Sequence, residues 1–301
     1  MINKMNNKLS NLTVNILTYK TNKEILKDCI NSISKSVKIN IIENSNKFEN
    51  ENYLGDLEHN INIICTGNNL GYAGGHNYGV SKVNTRYVLI LNPDLVCLND
   101  YFTKIQSYLN EDFDFHVIGS QYEKNKMNKP AYGLFEQKQF NPLIPINKKN
   151  LQEVDWVVGC SMLIDLNKFT NKKLFDENYF LFYEETDFCK RIKLNRGLVF
   201  SSQDLIIDHY GEKGSFATEP GNEYAYLKLR NWHLMWSSFY YYKKNYSYVY
   251  AFKLFSVSLI KSFLKIIFFA IIFNKYNFIK HLYRFLGLIS SMFGKNSSFR
   301  L

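Results

Sequence analysis

No two cysteines stand in a CxxC pair, and the five present (Cys29, Cys65, Cys97, Cys160, Cys189) are scattered and odd in number. That argues against a dithiol redox centre or a zinc ribbon. Each lies in an apolar run, so buried free thiols in a reducing compartment are expected. The opening MINKMNNKLSN lacks the apolar core of a secretory leader, so the catalytic part is expected to stay in the cytoplasm. Long apolar runs are missing too. The longest, Ile266–Phe273, has eight residues, and Lys261 and Lys265 interrupt any wider window. A spanning helix needs ~20, so helices lying in the plane of a membrane are expected rather than a transmembrane segment, with burial as an ordinary C-terminal helical subdomain the alternative. No internal repeat is visible.

Acids are nearly absent from the C-terminal part. Residues 221–301 hold twelve Lys/Arg and one acid, Glu223, whereas the preceding 220 hold 25 basic and 26 acidic residues. The net charge of +10 therefore belongs to the tail, which calls for a polyanionic partner. The tail is also rich in Tyr, Trp and Phe, which favours an anionic membrane surface over nucleic acid. Two parts are expected: residues 1–220 as a catalytic domain and 221–301 as a basic, aromatic helical region.

What is present in the first hundred residues is an alternation of strand and helix patterns. LTVNILTY (12–19) reads as a buried strand, TNKE (21–24) as a capping box, and Ile25, Leu26, Cys29, Ile30 and Ile33 recur at helical spacing. Further strands end at IIE (41–43), fill INIICT (61–66) and lie in RYVLILNPD (86–94), with a glycine-opened helix in GYAGGHNYGVSKV. Such alternation predicts an α/β fold, a mostly parallel Rossmann-like sheet covered by helices. Ligands on these sheets bind beyond the carboxyl ends of the strands. Thr18-Tyr19, Glu43-Asn44-Ser45, Asn68-Asn69 and Asn92-Pro93-Asp94 all fall there and should converge.

Residues 121–152 are polar and weakly patterned and read as a variable loop. VDWVVGCSMLID (154–165) reads as one strand-like run, and a helix near 184–197 is expected to end at a Gly197 C-cap. LVFSSQDLIIDHYG (198–211) reads as a strand entering a flexible loop.

Four constellations carry chemistry. The glycines of NNLGYAGGHNYG let backbone approach an anionic ligand at a helix N-terminus, although a plain strand-to-helix turn has the same look. Asp94 of LNPD can hold a divalent cation against a diphosphate, or merely form a turn. In FDENYFLFYEETDFCKR, helical geometry puts Glu184, Asp187 and Arg191 on one face and Glu185 on another. One acid can thus face a cleft while its neighbours fix the helix; a cluster complementing the helix dipole is the bland alternative. His209 follows a strand and, in this company, is a candidate metal or phosphate contact.

In order and spacing, LTY…IIENS…NNLGYAGGHNYG…YVLILNPD…VDWVVGC…FDENYFLFYEETDFCKR…DHYGEKGS…LRN resembles the family 2 inverting glycosyltransferases over about residues 11–232. It looks most like the rhamnosyltransferase-like branch. The resemblance implies a GT-A fold and an inverting transfer from a dTDP- or UDP-linked sugar, rhamnose being the first guess. It also implies a Mg²⁺ or Mn²⁺ cofactor and a saccharide or lipid-linked saccharide acceptor. Thr18, Tyr19 and Glu43 match positions that hold the nucleoside. Asn69, Gly71 and Asn77 match the segment closing over nucleotide and phosphates. Asp94 matches the metal-binding carboxylate, with His209 near metal and diphosphate. Asp155, Trp156 and Gly159 match the acceptor side. Glu184-Glu185 fall where the family has Glu-Asp, which makes Glu185 the expected base and Glu184 the next candidate. Arg230-Asn231 match a pair at the start of the C-terminal helices. Glu43 and Glu185 each replace an Asp, and the extra methylene adds roughly 1.5 Å of reach. An inactive nucleotide-binding or membrane-scaffold protein on the same fold is the alternative.

Overall fold

The computed structural model describes residues 8–49, 54–55, 57–98, 100–110, 113–123, 132–133, 150–209 and 221–300. Two compact units separate: Met1–Leu70, Gly74–Phe175 and Glu185–Ser215 in the first, Gly71–Ala73, Asp176–Glu184 and Phe216–Leu301 in the second. The strands are β1 (Leu12–Thr18), β2 (Lys38–Glu43), β3 (Ile61–Cys65), β4 (Tyr87–Leu91), β5 (Leu95–Cys97) and β6 (Val117–Tyr122). They continue with β7 (Tyr132–Gly133), β8 (Leu151–Glu153), β9 (Trp156–Val157), β10 (Ser161–Asp165) and β11 (Val199–His209). The helices are α1 (Lys23–Asn31), α2 (Gly71–Ser81), α3 (Tyr101–Asn110), α4 (Glu184–Leu194), α5 (Glu223–Asn245), α6 (Tyr248–Ile271) and α7 (Lys275–Met292).

In the first unit the order β3-β2-β1-β4-β10-β6-β11-β5 forms a mixed sheet, with β8 added against β11. β3, β2, β1 and β4 run parallel, as the βαβ pattern requires. β10 enters antiparallel between β4 and β6, and β6 and β11 are again parallel. Every residue of β4 and β10 is buried; β4 accordingly reads as an unbroken apolar run, whereas β10 is apolar at its centre and flanked by the buried Ser161 and Asp165. The register sets Thr18 opposite Glu43 and Glu43 opposite Cys65, so the strand ends stand side by side.

Several local expectations are corrected. Asn22, not Thr21, caps α1: its Oδ1 accepts from the N–H groups of Glu24 and Ile25. VDWVVGCSMLID is two strands, because β9 turns aside to pair with β7 while β10 joins the main sheet. After α4 the left-handed residue is Arg196 (φ 57), not Gly197. Glycine at 197 is demanded by space instead, since a Cβ there would lie 2.5 Å from the Ile192 Cγ2. Cys65 ends the outer strand β3 and is exposed, whereas the other four thiols are buried and free. The loop after His209 and most of residues 121–152 lie outside the described residues.

The second unit is a helical assembly. Met235 and Phe239 of α5, Ala251 of α6, and Leu288 and Met292 of α7 form its centre. Gly287 lets α7 approach α5 closely, because a Cβ there would collide with the carbonyl of Trp232. α6 begins at Ser247, whose hydroxyl accepts from the Tyr250 N–H, and α7 at Asn274, whose side chain accepts from Asn277. α6 runs unbroken for 24 residues with mean hydropathy 2.0 in its most apolar window, long and apolar enough to cross a membrane. Summing over a whole helix outweighs its scattered lysines, which a search for unbroken runs does not register.

Candidate active site

Thr18 and Glu43 end neighbouring parallel strands, and the Thr18 hydroxyl donates to Glu43 Oε2 at 2.7 Å. Ser45 donates to the other carboxylate oxygen, also at 2.7 Å. Burial raises the Glu43 carboxyl above its ordinary value, against these two hydrogen bonds. Tyr19 follows at the strand end, half-buried, before Lys20 turns the chain in the left-handed region (φ 49). Next to them Asn44 donates to Asn69 Oδ1 at 3.1 Å and accepts from the Leu70 N–H at 2.9 Å. The first three strand ends thus share one hydrogen-bonded rim.

Two residues expected in the segment closing over the nucleotide also hold the local fold together. The Asn77 amide donates to the Phe175 carbonyl (2.9 Å) and accepts from the Phe175 N–H (3.0 Å), clasping the chain ahead of α4. Gly71 has φ 75, and a Cβ there would overlap the Phe180 carbonyl and ring. Glycine at 71 is therefore required by packing, with the Tyr72 N–H donating to that same carbonyl at 2.8 Å.

Asp94 is buried and lies 3.3 Å from His209 Nε2. Topology explains the meeting: the turn after β4 leads into β5, whose first residue Leu95 pairs with His209 on β11. The Asn92 N–H is anchored by the Cys160 carbonyl at 2.8 Å. The His209 ring stacks on Tyr122 (5.9 Å between centroids, 18° apart), and its Nδ1 is buried with no hydrogen-bond partner among the described residues.

Glu185 is half-buried, yet desolvation dominates its surroundings and raises its carboxyl, against hydrogen bonds from its own backbone and from Thr186. Burial pushes the Cys160 thiol up to about 12, and Asp94 and Glu185 both add to that rise. Burial, then Cys160, and to a lesser extent the same two carboxylates hold the Tyr122 hydroxyl well above its usual range. Tyr122 and Cys160 themselves touch, oxygen to sulfur at 3.6 Å. Asp94 and Glu185, distant in sequence, therefore bear on one pair of side chains.

Sequence reasoning missed Tyr122. It ends β6, so the strand-end rule that selected Thr18 and Asp94 applies to it equally; residues from 121 onward were read as loop. Asp155, Trp156 and Gly159 are half-buried on and beside the β7–β9 ribbon, where the Asp155 N–H donates to Gly133. Glu184 is the buried first residue of α4. In the second unit Asp176 binds Lys244 at 2.7 Å and accepts from Tyr240 at 3.1 Å. Burial opposes its charge, but Lys244 and Asn178 prevail and hold the carboxyl below its ordinary value, marking Asp176 as structural. Asn231 bonds its amide to the Leu227 carbonyl within α5.

Asp187 is the anchor of α4. It is fully buried and meets Arg191 Nε at 3.1 Å, and the same guanidinium donates to the Leu174 carbonyl. Asp187→Ala strands that cation and is expected to cost about 3 kcal/mol, the low end for a broken buried pair because Arg191 keeps contact with water. Denaturant unfolding checks it: a loss within ~0.5 kcal/mol would show that Asp187 does not hold the helix.

Asp94 and His209 offer two ligands at one point, and among the described residues no group of three His, Cys, Asp or Glu forms a metal cage. A carboxylate beside an unsatisfied buried imidazole suits a divalent ion completed by substrate phosphate oxygens and water, not a closed structural site.

The signature described as Glycosyl transferase family 2 matches residues 13–178, more than half the chain. The chain is similar to the low-salt glycan biosynthesis hexosyltransferase Agl10 of Haloferax volcanii, 26% identical over 74% of each protein. It is also similar to the rhamnosyltransferase WbbL of Escherichia coli, 23% identical over 41% of this chain and 55% of that protein. In structure it is similar to the mannosyltransferase PcManGT of Pyrobaculum calidifontis, solved with GDP-Man and Mn²⁺. That match has a TM-score of 0.54 and 9% identity, over 95% of this chain and 88% of that one.

Proposed function

The chain belongs to glycosyl transferase family 2 and is a glycosyltransferase on a GT-A fold; from that premise we propose an inverting transfer from a nucleoside-diphosphate sugar, with Glu185 as base. The acceptor hydroxyl gives its proton to Glu185 while its oxygen attacks the anomeric carbon from the face opposite the leaving group. The glycosidic bond forms as the bond to the nucleoside diphosphate breaks, without a covalent enzyme intermediate. Burial suits Glu185 to the task, because a raised carboxyl is a stronger base than an exposed one. Thr18, Tyr19 and Glu43 hold the nucleoside, Asn69 borders the phosphates, and Asp155, Trp156 and Gly159 line the acceptor side. Asp94 and His209 would hold Mg²⁺ or Mn²⁺, which would offset charge on the departing diphosphate.

What supports this reading is geometric: Asp94 sits against His209, Tyr122 stacks on that imidazole and touches Cys160, and the Glu185 carboxylate is within electrostatic range of the same pair. A metal-phosphate carboxylate and a base must face one reacting centre, and this proximity is what such a pair requires. The donor is a dTDP- or UDP-linked sugar, rhamnose first. The acceptor is a saccharide or lipid-linked saccharide of surface-polysaccharide synthesis, met at the inner face of the cell membrane. Purified protein with Mg²⁺ or Mn²⁺, a donor panel and intact mass spectrometry of products tests this. A mass gain of one deoxyhexose on a saccharide acceptor is expected with dTDP-rhamnose. Nucleotide binding without transfer or hydrolysis of any donor would make the chain a non-catalytic member of its family.

A further inference from the structure

We propose that the outward face of α6 docks in the plane of an anionic phospholipid leaflet, as an interfacial helix that does not cross the bilayer. This deepens the lipid-linked acceptor reading by naming the surface through which the enzyme would meet the membrane, and it rests on separate observations.

α6 has two unlike sides. Ala251 and Ser262 are buried, and Phe255 and Phe269 pair with rings of α5 and α7. At 100° per residue, Val249, Val257, Ile260, Leu264, Ile267 and Ile271 fall within about 80° of arc on the opposite side. All six are exposed, from 45% at Ile267 to 69% at Ile271. Only 6% of the most apolar window is covered. Contiguous apolar surface of this extent marks an interaction site.

Charge selects the occupant. Lys261 and Lys265 lie together along one border of the apolar arc, and Lys253 within it stands near the helix start, where its stem can carry the ammonium outward. α7 runs antiparallel beside α6, with Phe263 against Phe285 (5.9 Å) and Phe269 stacked on His281 (5.6 Å). That pairing gathers Lys265, Lys280 and Arg284 around His281. Burial first, and then those three cations, together lower the His281 imidazole to about 4. Arg284 is itself lowered by burial. The only acid from 221 to 301 is Glu223, so no carboxylate of the tail balances this rim. An apolar stripe with a one-sided cationic border matches acyl chains beneath anionic head groups. A second copy of the same face would bring cation against cation. A spanning α6 would draw Lys265, Lys280 and Arg284 into hydrocarbon, where charge is strongly disfavoured.

Full-length protein is sedimented with phosphatidylcholine vesicles with or without phosphatidylglycerol, with no donor present. Binding is expected only with the anionic lipid, falling as salt rises. Lys261→Ala and Lys265→Ala should each weaken it about fivefold, the equivalent of ~1 kcal/mol per basic residue at such a surface. Ile260→Asp with Ile267→Asp should abolish it. Both isoleucines are exposed, so circular dichroism should not change, and transfer to a water-soluble acceptor should persist. Absence of wild-type binding, or equal binding to neutral vesicles, overturns the proposal. Retention in cell membranes after an alkaline carbonate wash overturns it in favour of a span. Self-association abolished by the Asp pair, without lipid binding, assigns the face to a second copy. Because the assay uses no sugar nucleotide, its failure is separable from failure of the catalytic reading.

Discussion

Glu185→Gln is expected to lower turnover by about 10²–10⁴-fold while donor binding persists, since a positioned general base supplies roughly that factor. Gln keeps the size and polarity of the side chain and removes only its capacity to take a proton. Loss of kcat with unchanged donor affinity therefore isolates the base from simple misfolding. Stability supplies a second control. A carboxyl raised by burial is destabilising once ionised, so stability falls as pH rises from the ordinary carboxylate value through the raised one. Removing that buried charge should leave the melting temperature at neutral pH unchanged or higher. The pH profile has a defined sign as well. The base works deprotonated, so the wild-type rate should fall as pH drops through the raised value, at higher pH than an exposed Glu would give. Near-full transfer by Glu185→Gln would move the assignment to Glu184.

The parallel part of the fold was legible because its signals are local and physical. β1, β2, β3 and β4 are apolar runs bounded by polar turns, and the rule that ligands sit beyond strand ends drew Thr18, Glu43, Asn69 and Asp94 to one edge. The antiparallel part was harder. Nothing in the sequence says that β10 inserts between β4 and β6, or that β5 pairs across to β11; those are long-range choices made by packing. Tyr122 was lost for that reason, since β6 is recognised only from its neighbours. Asn77 and Gly71 carry structural duties that the sequence did not announce. Their residue types suit a ligand loop, but the amide and the missing Cβ serve Phe175 and Phe180. Phe182 and Tyr183, consecutive left-handed residues (φ 71 and 69), were invisible for a related cause. Aromatic side chains disfavour that conformation by about 1–2 kcal/mol each, so no local preference announces it. Tyr183 instead rests on Tyr241, with ring centroids 5.2 Å apart, and the strain sits immediately before Glu184-Glu185.

Asp94→Asn should remove metal-stimulated transfer and lower the rate by about 10²–10³-fold, as expected when several kcal/mol of charge stabilisation is lost at the diphosphate. Asn is chosen beside Ala because Asp94 is buried against His209, and an isosteric amide can still hydrogen-bond the imidazole while its charge is gone. If both variants lose metal response and only Ala loses stability, ligand and structural roles separate. His209→Ala should reduce the response less, because the imidazole is one neutral donor beside a carboxylate and substrate oxygens can take its place. Calorimetric titration of nucleoside diphosphate with and without Mn²⁺ reads the effect directly. The wild type should bind more tightly with the ion, Asp94→Asn equally with and without it, and His209→Ala in between. Metal-stimulated transfer that survives Asp94→Ala would reject Asp94 as a ligand. The Asp94–His209 contact would then be a structural pair joining β5 to β11.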